Sequence, residues 1–223
     1  MVSTYSQLCP VLFGPGALNQ LPDKVRELGG TKALCLFDKG VKDSGIAGRM
    51  LDLLKNAGIP CAVFDGVLPD APSETVDAAG ELGTKEGCDI VIGIGGGSTL
   101  DTAKAATVLL QNPPPVSRYF VEKGEPFVST TPLILIPTTS GTGSEVTIMA
   151  VIHDKATQTK ASVLRPANLA IVDPELTLTV PPFVTAMTGF DALSPAVEAF
   201  TTNRGTPLAD VLCKNIMRLV AEN

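Results

Sequence analysis

The 223-residue sequence has no cluster of Lys or Arg, no internal repeat, no low-complexity tract and no apolar run long enough to span a bilayer. With a net charge of −6 at pH 7, it lacks the basic patch that nucleic acid or an anionic membrane surface would require, so neither is an expected partner. Histidine occurs once, at His153. The five cysteines, Cys9, Cys35, Cys61, Cys88 and Cys213, are scattered, and three lie in or beside apolar strand candidates. That pattern fits reduced thiols and excludes a disulfide framework or a spaced zinc cluster. The first sixteen residues have neither a basic start nor a long apolar run, so no secretory signal is expected. These absences predict a soluble, cytoplasmic protein. Charged residues make up only 18% and apolar residues 44%, enough for a packed core and too apolar for disorder.

What is present is an alternation of apolar runs and amphipathic segments. Leu21–Leu28 reads as a helix closed by Gly29-Gly30, Ala33–Phe37 as a buried strand ended by Asp38-Lys39-Gly40, and Ser44–Ala57 as a second helix stopped by Gly58. Cys61–Phe64 is a short strand, and Ser73 is placed as the cap of a helix ending near Gly87. Ile90–Ile94 is a strand apolar on both faces, followed by a helix with Leu100, Ala103, Thr107 and Leu110 at helical spacing. Leu133–Ile136 and Asn168–Val172 are further strands, while Thr147–Ile152 and Lys160–Leu164 pair as a hairpin around His153-Asp154. Repeated β-α units imply an α/β fold with a parallel sheet covered on both faces and ligands at the carboxyl ends of the strands. From Pro181 onward only helices are expected, so residues 1–180 form the α/β domain and 181–223 the start of a helical one.

The turn Gly95-Gly96-Gly97-Ser98 between strand and helix is the most informative stretch. Missing Cβ atoms let a phosphate approach the backbone, and the N–H groups and dipole of the helix start point at it. Ser98 with Asp101 three residues later reads as a helix cap, which favours a phosphate site over an ordinary tight turn. It is not the G-x-G-x-x-G fingerprint, because Ser98 stands at the third glycine, and no Lys-Ser/Thr follows as in a Walker loop. Asp38 and Gly95–Ser98 both fall at carboxyl ends of strands. From spacing alone Asp38 reads as a solvated aspartate. The hydroxyl-rich loop Pro137–Glu145 suits hydrogen bonding to a ligand, or simply turning the chain.

Asp38-Lys39-Gly40, Gly95–Ser98 with Asp101 and Lys104, PTTSGTGSEVT from Pro137 to Thr147, Asp173-Pro174-Glu175-Leu176 and TGFDAL from Thr188 to Leu193 occur in this order. Together they make the chain resemble the iron-containing (group III) alcohol dehydrogenases, from about Phe13 to the last residue. The resemblance implies a Rossmann-like nucleotide-binding domain followed by an all-helical domain, the architecture shared with dehydroquinate synthase. It implies NAD-dependent hydride transfer between a nicotinamide and a small alcohol or aldehyde, usually in a homodimer. Gly95, Gly96, Gly97, Ser98 and Asp101 match its pyrophosphate turn; Thr138, Thr139, Thr147, Lys160 and Leu178 match positions lining the dinucleotide. Asp38 matches the acidic position near the adenosine ribose, which implies NAD over NADP. Ala71 stands where the family has a cofactor-holding Asn.

The family's catalytic ion, Fe2+ or Zn2+, polarises the alcohol or carbonyl oxygen and is held by an Asp and a His four residues on, with two later His. Asp191 matches the carboxylate ligand, but Pro195 stands at the His position, and the sequence ends at Asn223 before the later ones. The expectation is a truncated helical domain with no metal held by this chain alone, and His153 as an exposed turn residue. Its apolar stripe Leu208–Leu219 would be left uncovered, so self-association is expected. Two alternatives to a metal-dependent alcohol dehydrogenase are a metal-independent enzyme resembling maleylacetate reductase and a non-catalytic nucleotide-binding module.

Overall fold

The computed structural model describes residues 6–223. In chain order it comprises β1 (Val11–Phe13), α1 (Leu21–Glu27), β2 (Ala33–Asp38), α2 (Lys39–Asp43), α3 (Ile46–Asn56), β3 (Cys61–Val67), α4 (Ser73–Lys85), β4 (Ile90–Gly95), α5 (Gly97–Leu109) and β5 (Leu133–Pro137). β6 (Met149–Asp154), β7 (Thr159–Leu164), β8 (Leu169–Val172), α6 (Pro182–Thr201) and α7 (Pro207–Glu222) complete it. Six strands form one parallel sheet in the order β1-β8-β5-β4-β2-β3, and β6 and β7 form a separate antiparallel hairpin. This is the Rossmann-like α/β architecture expected.

Successive residues of the central strands go to opposite faces. Ile90, Ile92 and Ile94 of β4 join Leu21, Val25, Met50 and Leu54 of α1 and α3 on one side. Leu34 and Leu36 of β2 and Val91 of β4 face the other side, with Val76 and Ala79 of α4 and Leu100 and Ala103 of α5. The hairpin adds Ala150, Ile152, Ala161 and Val163 to this second cluster. Helix α5 is therefore enclosed by the sheet beneath and the hairpin above, and it is buried almost all round rather than along the single expected stripe. The polar Thr102, Lys104 and Thr107 are buried with it.

Glycines set how close the layers come. A Cβ on Gly93 would lie 2.6 Å from the Ala103 Cβ and 3.1 Å from Leu135 Cδ2, so the empty position lets α5 settle onto β4. A Cβ on Gly80 would lie 2.5 Å from Leu109 Cβ, which brings α4 against α5 in the same way.

Several local expectations need correction. Strand β1 was not expected: two exposed residues flanking a half-buried one carry no pattern, and they form a strand only by pairing with β8. The expected helix Ser44–Ala57 is found as α3, but the single turn α2 before it, set off by Gly45 at a left-handed φ of 82°, was not expected. Ser73 does not cap α4 but is its first residue, after Pro72. His153 is not a turn residue: it lies half-buried within β6, opposite Lys160, and its N–H donates to the Ala71 carbonyl at 3.1 Å.

Beyond Val180 the described chain is helical, with α6 and α7 packed on each other. Leu208, Leu212, Ile216 and Leu219 are exposed, as are Phe183, Met187 and Phe190. No helix is long and apolar enough to cross a membrane among the described residues. Replacing Gly93 by Ala forces the α5–β4 contact apart and is expected to destabilise the fold by about 1–3 kcal/mol, the usual cost of overpacking. Thermal melting measures it, and an unchanged midpoint would show that the layers can separate freely.

Candidate functional site

Along the sheet, the chain runs outward from β2 to β3, then returns to place β4 on the opposite side of β2. The order reverses between β2 and β4, and in open parallel sheets the crevice at the carboxyl ends of such strands receives the ligand. Asp38 ends β2 and Gly95 ends β4, so both expected site elements meet at this crevice.

The glycine turn is tightly fitted. A Cβ on Gly95 would lie 2.6 Å from Thr99 Oγ1, and one on Gly97 would lie 2.7 Å from Thr142 Cγ2. The Gly96 carbonyl accepts from the N–H groups of Thr99 and Leu100. The N–H groups of Gly97 and Ser98 precede the first intrahelical bond and have no carbonyl four residues back within the helix. They are half-buried at the head of a 13-residue helix, a position suited to an anion.

Ser98 does not cap this helix, as its spacing had implied. Gly96 is the capping residue, without a side-chain bond, and the Ser98 hydroxyl instead accepts from the Asp70 N–H at 3.1 Å. Asp101 is not a capping partner either. One of its oxygens accepts from the Ser144 hydroxyl and lies 3.4 Å from Lys104 Nζ, and the other accepts from the Val151 N–H at 3.1 Å. Its carboxylate is spent on tying α5 to the hydroxyl loop and to β6.

Asp38 is not merely a solvated residue. One oxygen accepts from the Val41 N–H at 2.9 Å and so caps α2, and the other accepts from Thr99 Oγ1 at 3.2 Å. A carboxylate has about four acceptor positions, so capacity for a sugar hydroxyl remains.

The hydroxyl loop 137–147 lies beside the turn. Thr138 is buried, and its N–H donates to the Gly95 carbonyl at 3.0 Å. Thr139 stands over Gly96, where a Cβ would come within 3.5 Å of its hydroxyl. Thr147 Oγ1 accepts from Lys104 Nζ at 3.0 Å. Across the crevice, Lys160 of β7 forms an exposed ion pair of 3.2 Å with Asp70, a contact that contributes little by itself but brings the hairpin to the Asp70–Ser98 contact. Asp70 and Ala71 both have left-handed backbones, with φ of 61° and 46°, a conformation Asn tolerates better than Ala. Leu178 stands apart from these groups, 82% exposed beyond β8.

The sequence reading quoted Lys104 within a motif but assigned it no role. Its side chain is fully buried and makes hydrogen bonds to Ser144 Oγ, Thr147 Oγ1 and the Met149 carbonyl at 2.8–3.0 Å. The available signal was a lysine three residues from Asp101 on an otherwise apolar and small-residue helix. Burial pulls the Lys104 ammonium below the usual lysine range, with Asp101 opposing that shift. Burial pushes the Glu145 carboxyl above its ordinary value.

A cavity of about 1160 Å³ opens beside this site, between the ends of β1, β5 and β8 and helices α6 and α7. Thr139, Gly141, Glu145, Asp173, Gly189 and Phe190 are among its lining residues. Asp173 is committed elsewhere, accepting from the N–H groups of Gly16, Leu18 and Glu175. Asp191 is exposed on α6 and is not part of this lining. Helix α6 continues through Pro195, which has no N–H to give the Asp191 carbonyl. No group of three or more His, Cys, Asp or Glu that could hold a metal exists among the described residues.

Comparison with known proteins shows the family and the fold. The family model described as iron-containing alcohol dehydrogenase matches residues 10–174. A choline dehydrogenase of Bacillus subtilis (strain 168) is 41% identical over 207 residues, covering 91% of this chain and 52% of its own length. A lactaldehyde reductase of Escherichia coli (strain K12) is 36% identical over 215 residues, 94% of this chain and 56% of its own. The crystal structure of a sulfoacetaldehyde reductase from Bifidobacterium kashiwanohense in complex with NAD+ superposes with a TM-score of 0.91 at 33% identity, over 99% of this chain and 59% of that one. The chain thus spans about half the length of the curated relatives it matches. With the family model covering most of its residues, this chain belongs to the iron-containing alcohol dehydrogenase family.

Proposed function

We propose that this chain is the dinucleotide-binding part of an NAD-dependent alcohol dehydrogenase or aldehyde reductase acting on a small alcohol or its aldehyde. The observation that carries the reading is the glycine turn at the head of α5, set between Asp38 and the hydroxyl loop at the point where the strand order reverses. A nicotinamide cofactor bound there supplies the hydride acceptor or donor. The N–H groups of Gly97 and Ser98 receive the pyrophosphate, and Gly95 and Gly96 leave room for it. Thr138, Thr139, Thr147 and Lys160 border its path, and Leu178 contributes apolar surface at its far end. Asp38 accepts from the ribose 2′-hydroxyl and repels a 2′-phosphate. The cavity between the strand ends and α6 is the place for the substrate. Residues 1–180 then act as the cofactor domain, with 181–223 contributing one wall of the substrate cleft. A cytoplasmic homodimer is the form that this reading carries with it.

The ion implied by the family does not fit the residues of this chain. Asp191 is a single exposed carboxylate, Pro195 cannot coordinate, and His153 lies in β6. No step of catalysis is therefore assigned to a metal here. The same mismatch supports a second reading, a nucleotide-binding module that takes up cofactor without turnover. The maleylacetate-reductase alternative is not favoured, because the relatives carry the names of alcohol dehydrogenases and aldehyde reductases.

Fluorescence titration should show NADH binding at least about tenfold tighter than NADPH, since one unfavourable charge contact of about 1.4 kcal/mol has that effect. Asp38→Ser should narrow the ratio towards unity. Equal affinities in the unsubstituted chain would refute the assignment of Asp38. In equilibrium dialysis against micromolar Zn2+ or Fe2+, the chain should retain no stoichiometric metal. One tightly held equivalent would show that donors outside the family positions complete a site.

A further inference from the structure

We infer that Lys104, whose ammonium is bonded to the hydroxyl loop and the hairpin, is the positioning residue of the dinucleotide site, holding the hairpin and the strained Asp70-Ala71 pair in place over the glycine turn. The inference rests on the dinucleotide reading given above. Lys104 lies two turns into α5, and its ammonium reaches away from the sheet to Ser144 Oγ at 2.9 Å, Thr147 Oγ1 at 3.0 Å and the Met149 carbonyl at 2.8 Å. All three acceptors belong to one continuous segment, from the end of the hydroxyl loop into the first strand of the hairpin. Asp101, one turn earlier, completes the link by accepting from Ser144 and from the Val151 N–H.

The linkage continues to the ligand side. Two residues beyond Val151, the His153 N–H donates to the Ala71 carbonyl, and Lys160, paired with His153 across the hairpin, reaches Asp70. Asp70 in turn donates its N–H to Ser98 in the glycine turn. The path is closed: it leaves α5 at Asp101 and Lys104, crosses the hairpin, and returns to the head of the same helix at Ser98. Two successive left-handed residues other than Gly persist only where their surroundings over-determine them, and the hairpin contacts supply that restraint here. Exposed ion pairs such as Lys160–Asp70 are too weak to do so alone. The Lys104 side chain is fully buried, so the three acceptors it reaches and the Asp101 carboxylate depend on its ammonium for their partner. The charged and titratable groups around it are Asp101 on its own helix, Glu145 of the hydroxyl loop and Cys9 of the N-terminal segment.

The test compares the unsubstituted chain with Lys104→Met and Ser144→Ala, by NADH titration across pH and by amide hydrogen exchange without nucleotide. Lys104→Met is expected to raise the Kd for NADH at least about tenfold and Ser144→Ala about threefold, as loss of charged and neutral hydrogen bonds would. Both should speed exchange at the His153 and Asp70 amides while leaving β4 protected. In the unsubstituted chain the Kd should rise on the alkaline side as the ammonium loses its proton below the ordinary lysine range, and Lys104→Met should lack that limb. Simple loss of packing would not produce this difference, and Lys160 contributes equally to both proteins. Unchanged Kd or unchanged exchange in Lys104→Met overturns the inference. Should that variant fail to fold, Ser144→Ala decides by the same two readouts. If the unsubstituted chain binds no NADH, the dinucleotide reading fails by itself, and exchange at His153 and Asp70 still decides whether Lys104 holds this loop.

Discussion

Helix α5 can start where it does only because side chains are missing beneath and beside it. Gly93 lets its body settle on β4, Gly95 leaves room for Thr99, and Gly97 leaves room for Thr142. With any of these positions filled, the helix head would move off the end of β4, and its free N–H groups would no longer sit between Asp38 and the hydroxyl loop. The candidate anion site is thus a consequence of close packing, and packing at near-crystalline density allows little compromise. Thr99 carries this constraint sideways: held by the vacancy at Gly95, it fixes one oxygen of Asp38 and thereby the end of β2.

The second constraint is the cover over α5. A helix enclosed on both sides cannot be amphipathic in the ordinary sense, and its buried polar groups must find partners inside the protein. Thr107 bonds back to the Ala103 carbonyl, and Thr102 to the Ser98 carbonyl. Lys104 and Asp101 have only the hydroxyl loop and the hairpin to turn to, and the loop's Ser144 and Thr147 are placed to meet them. The composition of the PTTSGTGSEVT segment therefore serves two ends. Thr138 and Thr139 line the crevice by the glycine turn, and Ser144 and Thr147 satisfy a buried cation behind it.

The helical segment is organised differently. Ala196 and Cys213 are the buried residues of α6 and α7, whereas the sheet and its helices bury two continuous clusters. On the sheet side the layers are closed. Among the described residues, the α6–α7 side presents Asp191 outside any cluster that could hold a metal, and its apolar stripe is exposed. The position four residues after Asp191 would share its helix face, and Pro195 there supplies neither a ligand nor an N–H.

The α/β fold, its main strands in chain order and the glycine turn were legible in the sequence, because continuous apolar runs and glycines at strand ends are local signals. Gly95–Gly97 was legible as a candidate site element for the same reason, whereas the hydroxyl loop suited a turn as well as a ligand, and Asp38 read as a solvated aspartate until the family resemblance pointed to it. Strand β1 and the short helix α2 were not legible, since three mostly exposed residues and a single turn carry no periodicity. Ser98 and Asp101 were misread because S-x-x-D is a capping pattern locally, while the hairpin and the Asp70 segment offered those side chains partners more than twenty-five residues away. Lys104 was visible as a letter but not as a buried charge, because burial on its outer side comes from β6 and β7, some forty residues later. The sequence by itself determined which segments form the sheet and where backbone could approach a phosphate, both matters of neighbouring residues. Only the tertiary structure decided which polar groups stay open at the crevice and which bond to other segments, because those partners meet through packing between distant segments.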